Sequence, residues 1–152
     1  MGLDMYLIQR HHNNFRSELG KLKVFYDGKE IVDSDKISYV SSDFAYWRKA
    51  NHIHKWFVDN VQDGKDDCGT YYVSKETLLK LRNDCEQVLD KNSLSKELLP
   101  TESGFFFGST EYDSYYYDDV KYTLDVCNSA LSEIEKSESG DIRSSFYYHS
   151  SW

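Results

Sequence analysis

The sequence predicts an α+β fold, a single domain in which a mostly antiparallel sheet of short strands packs with three amphipathic helices. Three observations point to it. Short β-branched and aromatic runs alternate with polar connectors in the first third. Two later segments repeat apolar residues at helical spacing, and a third begins where the period changes near Asp43.

Residues 3–8, 22–26 and 36–41 are predicted strands, separated by His11-His12-Asn13-Asn14 and by Asp27-Gly28. Asp27-Gly28 is a turn signal, because glycine tolerates positive φ and aspartate bonds the nearby backbone, so Ile31-Val32 should pair back on residues 24–26. From Asp43, residues Tyr46, Ala50, Ile53, Phe57 and Val61 fall on one helical face, with Ser42 or Asp43 as the cap. Gly64 closes that helix in an Asp-rich loop. Residues 70–73 then form a strand, and Ser74 caps a second helix that buries Leu78, Leu81, Cys85 and Val88. Pro100 breaks the pattern; Phe105-Phe106-Phe107, bracketed by Gly104 and Gly108, reads as a buried strand. Asp113 or Ser114 starts the third helix, in which Tyr117, Val120, Leu124, Cys127, Leu131 and Ile134 recur in steps of three and four. Residues 146–148 close the sheet.

A chain of 152 residues suits one domain, spanning 1–152, and its 16% aromatic content offsets a hydrophobic share of only 39%. The net charge of -8 is unevenly spread. Residues 1–57 carry nine Lys/Arg against seven Asp/Glu, whereas residues 58–152 carry nine against nineteen. This acidity disfavours direct nucleic-acid binding, which needs clustered cations to displace counterions. Cys68, Cys85 and Cys127 make an odd, widely spaced set, which suits a reduced cytoplasmic protein. A membrane role is not expected: there is no long apolar run, and Tyr6 stands where N-myristoylation needs Ser or Thr.

Rings and carboxylates are densest between Phe105 and Asp119. Tyrosines give rigid, amphipathic contact area, and neighbouring acids create a potential that prefers basic partners. The expected partner-binding set is therefore Glu111, Tyr112, Asp113, Tyr115, Tyr116, Asp118, Asp119 and Asp125, against the plainer alternative of a solvated acidic helix face. Neither metal nor cofactor is expected. His52 and His54 lie about 200° apart on a helix, and no zinc-ligand spacing occurs among His11, His12, His149, Asp66, Asp67 and Cys68. Catalysis would need a thiolate beside a base, and Cys68 with His54 is the one candidate pair.

Several motifs are shared with a known group. Met1-Gly2-Leu3-Asp4-Met5-Tyr6-Leu7, Tyr46-Trp47-Arg48-Lys49-Ala50-Asn51, Ile53-His54-Lys55-Trp56-Phe57, Asp66-Asp67-Cys68-Gly69, the stretch from Leu98 to Thr110 and the end from Phe146 to Trp152 resemble small phage, prophage and bacterial proteins. The resemblance covers nearly the whole chain. It implies an accessory protein that modulates a host system, and it carries over no catalytic residue, ligand or partner.

Charge and context together lead to an expected function: a non-enzymatic, phage-type inhibitor of a host defence system, similar to an anti-CRISPR protein. It would act in the bacterial host cytoplasm by covering a basic, nucleic-acid-binding site on a host protein. The alternative is a sponge that sequesters a nucleotide-like immune signal among Trp47, His54, Ser109, Thr110 and Tyr112, at the entry to the third helix. A Cys68-dependent enzyme is the third possibility. Oligomeric state is left open.

Overall fold

Alternation along the strands sets the architecture, because residues two apart share a face and one face must be covered. The computed structural model describes residues 2–16 and 18–152. Met1 of the opening motif lies outside them. Among the described residues six strands form, β1 (Asp4–His12), β2 (Val24–Tyr26), β3 (Lys29–Val32), β4 (Tyr39–Arg48), β5 (Thr70–Val73) and β6 (Arg143–Ser151). Four α-helices accompany them, α1 (Asn51–Val61), α2 (Lys75–Asp90), the single turn α3 (Ser95–Leu98) and α4 (Ser114–Ser139). Fold class and antiparallel pairing are as the sequence predicts.

The main sheet has the order β4-β1-β6-β5, and β2 and β3 form a separate hairpin about Asp27-Gly28, with Val24 opposite Val32. Met5, Leu7, Ala45, Trp47, Val73, Phe146 and Tyr148 point to the covered face of the main sheet and join the core. Phe57 stacks on Tyr148 at 4.0 Å between ring centroids. Helices α2 and α4 pack together over this layer through Leu78, Leu81, Cys85, Val120, Cys127 and Leu131. On the opposite face the Arg10 guanidinium lies over the Tyr147 and Tyr39 rings, at 4.1 and 4.7 Å.

Two local expectations are corrected. Residues 43–48 belong to β4 and not to the first helix, so Ser42 and Asp43 are strand residues and cap nothing. Trp47 therefore sits on the sheet. Its indole N–H donates to Thr123 Oγ1 at 2.9 Å, a buried cross-layer bond that holds the ring where a helix would have turned it away. Lys49, at φ 57°, makes the sharp bend into α1. The phenylalanine triplet is the second correction: residues 105–107 form a turn, with only Phe107 buried and Phe105 95% exposed. Ser74 and Asp113 do cap α2 and α4, accepting from the Thr77 and Tyr116 amides.

Candidate functional site

The turn at residues 101–113 is held by Asn51, the first residue of α1, which is 1% exposed. Its side-chain amide donates to the Phe107 carbonyl at 3.0 Å and the Ser109 carbonyl at 2.8 Å, and its Oδ1 accepts the Glu102 amide at 2.9 Å. One buried side chain thus ties both arms of the turn to the helix. Tyr112 adds a further tie, its hydroxyl accepting the Thr101 amide at 3.1 Å. Gly108 takes φ +84°, and a Cβ there would stand 3.0 Å from Lys49 Cβ, so the turn can press against the β4–α1 bend only with glycine at this position.

Where this turn enters α4, a cavity of about 310 Å³ opens. Arg48, Lys49 and His52 line one side, and Glu111, Asp113, Asp118 and Asp119 line the other. His52 is 3% exposed and packs on the Tyr116 ring, with centroids 4.2 Å apart. Its Nε2 is buried without a hydrogen-bond partner, and burial lowers its pKa to about 3, which leaves the ring neutral. Burial, reinforced by the charges of Asp118 and Asp113, raises Asp119 to about 6. Among the described residues, no ion pair engages Glu111, Asp113, Asp118, Asp119 or Asp125. The cavity is thus an acid-rich hollow with unpaired carboxylates and a free imidazole nitrogen at its floor.

The expected partner-binding residues divide. Glu111, Asp113, Tyr115, Asp118 and Asp119 surround the cavity, with Tyr115 78% exposed at its rim. Asp125 is exposed further along α4, on the same helical face as Asp118. Tyr116 is corrected to a core residue. It is 3% exposed, its hydroxyl donates to the Leu99 carbonyl at 2.8 Å, and burial raises its pKa well above the ordinary phenol value. Tyr112 is half-buried, its hydroxyl occupied by Thr101.

The five residues of the alternative ligand pocket are drawn to different places. Trp47 is bonded to Thr123 under the sheet, Ser109 and Thr110 are exposed on the turn, and Tyr112 backs against it. His54 is fully buried with both ring nitrogens engaged, Nδ1 at 2.7 Å from the Tyr148 hydroxyl and Nε2 at 2.9 Å from Asp66 Oδ2. No nitrogen is left to activate Cys68, so the proposed thiol–imidazole pair does not form. Burial raises the Cys85 and Cys127 thiols, Cys127 to about 12, and packs both in the core. Among the described residues no group of three or more His, Cys, Asp or Glu is arranged to hold a metal ion, and no helix is long and apolar enough to cross a membrane.

Arg48, Lys49 and His52 were not among the residues expected at the site. They arrive from the β4–α1 bend, whose position the sequence pattern misplaces. Comparison with family models, curated proteins and solved structures returns no match.

Proposed function

We propose that the protein is a non-enzymatic binding protein whose acidic, tyrosine-rimmed end covers a basic surface on another protein. The observation that carries this is the set of unpaired carboxylates, Glu111, Asp118 and Asp119 beside exposed Tyr115, with Asp125 further along the same face of α4. Unpaired acids around an exposed ring suit lysine- and arginine-bearing surfaces, including those made for nucleic acid. The motif resemblance supplies the setting, a phage-type inhibitor of a host defence system acting by occlusion. Four carboxylates against Arg48 and Lys49 give the lining a net negative charge, which weighs against sequestration of a nucleotide-derived signal at this cavity.

Capture from host lysate tests the proposal. The protein is compared with a variant carrying Glu111→Gln, Asp118→Asn, Asp119→Asn and Asp125→Asn. A specific partner of basic surface should be retained by the parent protein, released as salt rises, and lost from the neutralised variant. Equal capture by both proteins, independent of salt, overturns electrostatic occlusion.

A further inference from the structure

On the far side of the 101–113 turn lies a second cavity, of about 430 Å³, between α1, the phenylalanine turn and the end of β6. Its rings are Phe105, Phe106, Phe107 and Trp152, and its acids are Asp59, Asp66 and Glu102. Phe105 is 95% exposed and meets Phe106 edge-on, with centroids 4.8 Å apart. Trp152, 47% exposed, is held in place from two directions. Its indole N–H donates to Asp66 Oδ1 at 3.1 Å, and its ring meets Phe107 edge-on at 6.0 Å.

Asp66 is itself fixed by His54, so the position of the Trp152 ring is set from inside the core. Lys55 lies outside the lining and pairs with Asp59 at 3.0 Å and Glu102 at 3.8 Å. Asp59 and Glu102 thus share one ammonium, and Asp66 adds a third carboxylate to the lining. Aromatic faces carry a negative quadrupole, and carboxylates beside them deepen the attraction for positive charge while repelling phosphates and carboxylic acids. The volume falls in the range of small-ligand sites.

From this arrangement we propose that the slot binds an organic cation, an ammonium or guanidinium group on an apolar stem. The charge sits against Asp66 and Glu102, and the stem lies between Phe105 and Trp152. The site is separate from the acidic cavity, and its occupancy does not depend on the occlusion proposed above.

Trp47 and Trp56 are buried, so a ligand in the slot is read through the fluorescence of Trp152. The full chain is titrated with phenethylammonium, with Nα-acetylarginine amide, with uncharged 2-phenylethanol and with phenylacetate. A saturable change is expected with the cations, about tenfold weaker with the alcohol and absent with the anion. Phe105→Ala and Glu102→Gln alter exposed side chains, and each should weaken cation binding about threefold to tenfold while the melting temperature holds. Tighter binding of the arginine amide assigns the cation to a partner's side chain, and tighter binding of phenethylammonium to a free small molecule; either supports the site. An equal response to the alcohol, or no saturation by roughly 10 mM of either cation, overturns it.

Discussion

His52 and Asp119 line one cavity and titrate in opposite senses. The fold favours neutral His52, so its contribution to stability is complete above its unfolded pKa of 6.5 and is lost as pH falls toward about 3. The fold also favours protonated Asp119. That contribution is complete below the unfolded value of 3.8 and is lost as pH rises through about 6. Between pH 6 and 4 the two oppose one another. Urea denaturation at pH 7.5 and 4.5 separates them. His52 should cost the parent protein about 2 kcal/mol at the lower pH, a cost that His52→Phe removes. Asp119→Asn should stabilise the protein at pH 7.5 by about 1 kcal/mol after solvent screening is discounted. Identical pH slopes in parent and His52→Phe would show that His52 does not titrate in this way.

Among elements, the 101–113 turn depends most on one side chain. Asn51→Ala removes three hydrogen bonds and leaves the Phe107 and Ser109 carbonyls and the Glu102 amide to find other partners. A loss of about 2–3 kcal/mol is expected, with faster amide exchange confined to residues 102–109 if the rest of the fold holds. Unchanged exchange there would mean that the turn is held by its other contacts. This dependence also explains which elements are legible from sequence. Helices α2 and α4 carry their own instructions, Ser74 and Asp113 as caps followed by sustained helical spacing. The start of α1 does not. Tyr46 and Ala50 happen to extend the helical period of Ile53 and Phe57 backwards, and only pairing of β4 with β1 makes Tyr46 a strand residue. The phenylalanine triplet has strand composition, yet its carbonyls are bonded singly, Phe106 by the Leu3 amide and Phe107 by the Asn51 side chain, which fixes a turn and builds no ladder.

Across the whole molecule the same distinction holds for the sites. Glu111, Tyr115, Asp118 and Asp119 are neighbours in sequence as well as in space, and so a local count of rings and acids finds them. The cations of that cavity, and the shared lining of the second by Phe105 and Trp152, come from distant segments and have no local signature. Burial of Tyr116 was equally hidden, since its neighbour Tyr115 differs from it only in helical phase. At this scale the strand order matters most. Deleting residues 143–152 should abolish cooperative thermal unfolding altogether, because β6 joins β1 to β5 and supplies Phe146 and Tyr148 to the core. A truncated chain that still melted in one sharp transition would show that α2, α4 and β1 suffice.

The central position of β6 has a kinetic consequence during synthesis. Its neighbour β1 is the first of the described strands in chain order and β6 the last, so a growing polypeptide holds β1 with one long side unpaired until β6 is made. Such a late long-range closure slows folding and leaves a sticky edge available to chaperones. Delay in the stretch between β1 and β6 would thus prolong the vulnerable period of this protein.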